Sequence, residues 1–270
     1  MRDDRLRSRT GVARLIRRPE FASLLGFVAI FIFFLAVAPA FRSFEALATT
    51  LYASSTLGIV ALAVGMLMIG GEFDLSSGVA VTTAALAATM LNYNLHLNSW
   101  VGAFMALGIS LAIGALNGYL VTRTGIDSFL ITLAAFLMLQ GLNLAVTKLV
   151  TGQVATPTIA DMEGFPSAHA VFAGSFHIGD IRISVTVLWW ILFVAVASFV
   201  LFRTKFGGWI TAVGGNDEAA RAVGVPVRRV KILLFMGVGF AAWFVGMHTL
   251  FAFDSIQAGQ GVGNEFLYII

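Results

Sequence analysis

Two stretches of this chain combine residue types that could do chemistry. The first is Gly70-Gly71-Glu72-Phe73-Asp74-Leu75-Ser76-Ser77-Gly78, with two carboxylates and three glycines between two apolar runs. Glycine pairs break helices by permitting positive φ. Asp74 before Leu75-Ser76-Ser77 would serve as an N-cap for a following helix. One reading is thus a capped turn at a membrane surface. The other is a helix broken at membrane depth, where irregular backbone survives only if buried in protein or lining a watery cavity. Glu72 and Asp74 would then be functional, because charge inside a membrane is costly.

The second stretch runs from Thr204 to Val227. Asn216 or Asp217 can cap a short helix, Glu218-Ala219-Ala220-Arg221-Ala222 forms helix readily, and Gly224 followed by Pro226 ends it. So short a helix is marginal alone in water and must lean on something, either its own membrane ends or the groove of a partner. Three further polar side chains, Asn117, Gln140 and Asn143, lie inside apolar runs. They either line a polar path or hydrogen-bond between helices, the use favoured for them here. Enzyme chemistry has little to work with. There is no cysteine, His96, His169, His177 and His248 are scattered, and no phosphate loop or His-Glu-x-x-His spacing occurs.

The elements that must position these residues are membrane helices. Of 270 residues, 59% are hydrophobic and 11% charged, against about a quarter charged in soluble domains. That surface must be solvated by lipid. Apolar runs place spans at roughly 21–41, 53–70, 77–93, 100–122, 128–148, 184–202 and 231–253. An eighth begins near Glu265 and stops at Ile270, so the chain is expected to be incomplete. Residues 1–20 form an arginine-rich cytoplasmic segment that, with the first span and its Ala36-Val37-Ala38, could pass for a signal peptide; the apolar run is too long for that, and the charge topology needs the span retained. With this N-terminus cytoplasmic, Arg2, Arg5, Arg7, Arg9, Arg14, Arg17, Arg18, Arg123, Arg203, Lys205, Arg221, Arg228, Arg229 and Lys231 fall inside. Only Arg42, Lys148 and Arg182 remain outside, as the positive-inside rule requires. Basic residues beside apolar spans also argue against nucleic acid. The fold class expected is all-α, a polytopic helical bundle. Residues 149–183 make a long external loop carrying a short helix or a docking surface, and 203–231 a cytoplasmic loop. Trp100, Trp189 and Trp190 fall at outer span ends, where aromatic belts occur. Gly114 and Gly118 form a small-xxx-small pair that either lets span four pack closely on a neighbour or reflects ordinary glycine frequency.

Asn216 to Val227, with Glu218-Ala219-Ala220 and Gly224, resembles the cytoplasmic coupling segment of ABC importer permeases. The wider pattern resembles the branched ribose, xylose and galactose permease family: Gly70-Gly71 with Asp74-Leu75-Ser76 and Gly78, Asn117-Gly118 with Leu120-Val121, Phe129 with Thr132-Leu133, then Gln257, Gly261, Gly263 and Glu265. These lie in order along nearly the whole chain. Glu72-Phe73 departs from the pattern, standing where the family commonly has one aliphatic residue, so the turn's polarity or register is expected to differ. The family's chains also continue beyond the position matching Ile270. The resemblance implies a bacterial inner-membrane permease subunit of a monosaccharide importer. It implies a cytoplasmic ATPase subunit that binds the ATP, a soluble sugar-binding protein outside, and a second permease copy, identical or not. Asn216, Asp217, Glu218, Ala219, Ala220, Arg221 and Gly224 would couple to the ATPase. Gly70, Gly71, Glu72, Asp74, Ser76, Asn117, Gln140 and Asn143 are candidates for the pathway or the helix break. No resident cofactor or metal is implied. An ion-coupled carrier or channel for a small polar solute is the alternative, though it calls for ionisable relays deep in several spans.

Overall fold

The computed structural model describes residues 19–179 and 181–269. The arginine-rich segment 1–20 lies almost wholly outside them. The chain divides into two compact units, 1–50 and 51–270.

In the first unit, α1 spans Pro19–Val37 and a 3-10 turn spans Pro39–Arg42. The turn folds Arg42 back so that its Nη2 donates to Ala36 O at 2.7 Å. A cation there answers the unpaired carbonyls at the helix C-terminus. Phe41 packs on Phe31 and Phe34. Helix α2 then runs Phe44–Ile69, beginning earlier than the apolar run alone implied.

The second unit continues through α3 (Ser77–Leu95), α4 (Ser99–Thr124), α5 (Ser128–Thr151), α6 (Phe165–Phe172), a hairpin of β1 (Ser175–Ile178) with β2 (Ile181–Ser184), α7 (Val185–Arg203), α8 (Lys205–Gly215), α9 (Asp217–Ala222), α10 (Val227–Phe253) and α11 (Asn264–Ile269). Among the described residues, five helices are long and apolar enough to cross a membrane: α2, α4, α5, α7 and α10. The other two expected spans correspond to α1, whose described apolar stretch is Leu24–Val37, and to α3. Helix α3 carries Thr82, Thr83, Thr89, Asn92 and Asn94, yet most of it is buried. Its threonines Thr82, Thr83 and Thr89 donate their hydroxyls to protein carbonyls.

Helix α10 is the axis of this unit. Two thirds of its apolar window (67%) is buried, against 11% for α7, whose Ile191, Phe199 and Phe202 stay exposed as lipid-facing residues do. Close approach explains its packing on α4. A Cβ on Gly114 would stand 2.4 Å from Phe235 O, and one on Gly118 would stand 2.8 Å from Ile232 Cα. The glycine pair therefore lets two backbones meet directly. Trp243 of α10 donates its indole N–H to Ala103 O on α4 at 2.8 Å.

Turns alternate between two ends of this unit. At one end, α6 seats Phe172 among Trp243, Phe244 and Phe251. The indoles of Trp100 and Trp189 donate to Ser167 Oγ and Val171 O, each at 2.8 Å. The short helix expected within 149–183 is α6. The antiparallel hairpin beside it was not anticipated; Ser175 pairs with Ser184 and Ile178 with Ile181. Helix α8 lies within the stretch 203–231 read as a cytoplasmic loop, and it carries four glycines, each worth about 1 kcal/mol against helix. Packing overrides that cost, since Gly214 lies where a Cβ would collide with Ile69 O.

Candidate functional site

The two stretches singled out in the sequence meet at the other end of the unit. Helix α2 stops at Ile69 and Gly71 takes φ of 83°, a left-handed conformation that favours glycine. The connector 70–76 is irregular and lies against α5. Phe73 N–H donates to Ser128 Oγ and Leu75 N–H to Thr132 Oγ1, both at 3.0 Å. Ser128 and Thr132, one turn apart on α5, thus take over backbone donors that neither α2 nor α3 can satisfy. Asp74 is not the N-cap itself. The cap position is Ser76, and Asp74 Oδ1 accepts from Ser76 N–H at 2.8 Å and from Ser76 Oγ–H at 2.6 Å. Asn117 Nδ2 of α4 donates to Ser76 Oγ at 3.1 Å, tying a third helix to this turn. Burial pushes the Asp74 carboxyl, which lies in the connector outside the helices, up to about 6, with the Ser76 bonds acting in the opposite direction.

Helix α9 sits beside this connector. Asn216 caps it, its side chain accepting from Ala219 N–H at 2.8 Å, and Gly224 at φ of 85° turns the chain out of it. Ala220 is buried and anchors it, whereas Glu218, Ala219, Arg221, Ala222 and Val223 are exposed. The bond between the two stretches is made by Lys231, in the first turns of α10. Its ammonium pairs with Glu72 Oε1 at 2.6 Å and Asp217 Oδ2 at 2.5 Å. Lys231 and Glu72 are nearly buried, so each needs the other. Glu72 breaks the expected aliphatic pattern because it meets a cation here. Between the connector, α9 and the α4–α5 turn lies a cleft of about 340 Å³ whose charged walls are Glu72, Asp127, Asp217, Arg221, Arg228 and Lys231.

Not every predicted residue joins this cluster. Gln140 and Asn143 lie further along α5, about 18 and 22 Å beyond Ser128 at helical rise. Gln140 is half-buried, and Asn143 Nδ2 is buried with no hydrogen-bond partner among the described residues. Gly78 instead meets the far end of the chain: a Cβ there would stand 2.5 Å from Glu265 Oε2 and 2.9 Å from Gly261 O.

The family described as branched-chain amino acid transport system / permease component matches residues 46–270. The chain belongs to this permease family. Ribose import permease protein RbsC of Escherichia coli (strain K12) is 27% identical over 248 residues, 91% of this permease and 74% of the relative. L-arabinose transport system permease protein AraH of the same organism is 28% identical over 250 residues, 93% and 72% of the two chains. Xylose/arabinose import permease protein XylH of Sulfolobus acidocaldarius is 28% identical over 244 residues, 87% and 64%. No solved structure matches the permease significantly. The resemblance to ABC sugar permeases and the all-α polytopic class read from the sequence are both borne out. Sequence reasoning missed Lys231 as a site residue, grouping it with the charges that orient the chain. The signal that could have found it was Glu72, a carboxylate in a membrane-adjacent turn that demands a cation.

Proposed function

We propose that this permease is the pathway-forming subunit of an ATP-driven monosaccharide importer and that α9 couples it to a separate ATPase. The observation that carries the reading is the placement of α9. It is a short, doubly capped helix that exposes Glu218 and Arg221 together with the small apolar surface of Ala219, Ala222 and Val223. It is also bonded through Asp217 and Lys231 to the start of α10, the most buried of the five candidate spans. A partner gripping α9 would move α10 and, through Glu72, the connector before α3, as one body. The chain has no phosphate loop of its own, so in this reading ATP is bound by the partner and energy arrives by contact. The names of the relatives, which import ribose, arabinose and xylose, support a monosaccharide as cargo. The resemblance of 216–227 to the coupling segment of ABC importer permeases adds to the proposal a soluble binding protein outside and a second permease copy completing the path. Charge distribution supports an inner-membrane orientation with the N-terminus and α9 cytoplasmic.

The test is extraction of the permease in mild detergent with identification of co-purifying proteins, followed by uptake of labelled D-ribose, L-arabinose and D-xylose. A phosphate-loop ATPase is expected in the eluate. Glu218→Lys is expected to leave the folded yield unchanged while abolishing ATP-driven uptake. Normal uptake by that variant would remove α9 from the coupling role.

A further inference from the structure

At the end of the unit opposite α9, a cavity of about 170 Å³ lies among α2, α3, α10, α11 and the segment before α11. Its polar wall includes Tyr52, Thr56, Thr82, His248 and Gln260, with Asn264 and Tyr268 from α11, and Leu57, Val81 and Val245 supply an apolar side. None of the residues lining it is Asp, Glu, Lys or Arg. A zwitterionic amino acid would leave both its charges without partners there, a desolvation cost no neutral donor repays. A neutral polyhydroxylated solute meets no such cost, because hydroxyl and amide groups can each donate and accept.

One member of this wall has a fixed polarity. His248 is buried, and its Nδ1 lies 2.8 Å from Phe172 O and 3.0 Å from Thr186 Oγ1, while its Nε2 lies 2.9 Å from Tyr52 Oη. A carbonyl only accepts, so Nδ1 carries the proton and Nε2 of the neutral ring is an acceptor. Tyr52 must then donate its O–H to His248. What the tyrosine presents to the cavity is its oxygen lone pairs, held in place by a chain that runs through His248 to α6 and α7. Beside it, Thr82 Oγ–H is turned toward Gln260 O, again leaving oxygen acceptors along the wall.

We propose that this cavity binds one neutral monosaccharide in transit, with the Tyr52 oxygen accepting from a sugar hydroxyl and the Tyr52 ring and the apolar side packing its C–H face. The inference rests on the monosaccharide reading and adds the place where the sugar pauses, on the side from which it enters. The absence of charge keeps the hold weak, as a pathway site requires.

The test is equilibrium dialysis of the full chain in lipid nanodiscs against labelled D-ribose, L-arabinose, D-xylose and L-leucine. Tyr52→Phe, Thr56→Val and, as a control outside the cavity, Tyr93→Phe are compared with the parent at matched melting temperature. At least one pentose is expected to bind and leucine not. Tyr52→Phe should weaken the pentose about five- to tenfold, the loss of one neutral hydrogen bond, with Thr56→Val in the same direction and Tyr93→Phe unchanged. Equal binding by the parent and by both cavity variants would overturn the site and leave the monosaccharide reading intact. So would pentose uptake by the assembled importer without pentose binding to the chain. Binding of leucine in place of the pentoses would overturn both.

Discussion

Lys231 holds two carboxylates that lie far apart in the sequence, Glu72 and Asp217, and removing it has a different consequence from removing either acid. With Lys231→Met, Glu72 is left nearly buried beside Asp217 with no cation for either. Breaking a buried pair in this way costs about 3 to 5 kcal/mol. With Glu72→Gln, Lys231 keeps Asp217, which is a third exposed, and Gln still offers an oxygen. The expected order is therefore Lys231→Met far less stable than Glu72→Gln. The double variant should lie above the sum of the two losses, because it no longer buries an unpaired acid. Denaturant unfolding in mild detergent checks this, and equal losses for the two single variants would show that the ammonium is not the group that matters. Glu72 and Asp217 were visible in the sequence because a carboxylate beside an apolar run is conspicuous. Lys231 was not, since a lysine at a span's edge already has an explanation in membrane orientation, and only the fold brings Glu72 to it.

The helices themselves were legible because their signal is cumulative: some 20 apolar residues admit few other readings in a chain this hydrophobic. Helix α8 and the hairpin were not, because a few residues of local pattern lose to tertiary packing. Glycines show the difference well. On α4, Gly108 has open space where a Cβ would go, whereas Gly114 faces the backbone of α10. Gly108→Ala should be neutral or stabilising by up to about 1 kcal/mol, since alanine is the better helix former. Gly114→Ala should instead force α4 off α10 and cost about 1 to 3 kcal/mol, as overpacking does. Unfolding midpoints of the two variants decide it. A matching gain in both would mean that the α4–α10 approach is looser than 2.4 Å implies.

At the level of the whole molecule, the reading of mechanism depends on which end faces the cytoplasm, because an ATPase can grip α9 only from that side. The chain contains no cysteine, so a single introduced thiol reports its own position without any background. Val223, at 78% exposure next to α9, and Ile178, at 59% on the hairpin, mark the two ends and lie outside the buried core. In the orientation proposed above from the charge distribution, Val223 is inside and Ile178 outside. A membrane-impermeant maleimide should therefore label Ile178→Cys in intact spheroplasts, and label Val223→Cys only in inverted vesicles or after permeabilisation. An ATPase bound to α9 adds a further expectation: in inverted vesicles that retain the partner, labelling of Val223→Cys should slow, and stripping the partner should restore it. The opposite sidedness would place α9 where no ATP-driven subunit can reach it. The Glu72–Lys231–Asp217 bridge would then be a staple of the fold and not a lever, and the cavity at Tyr52 would open toward the cytoplasm.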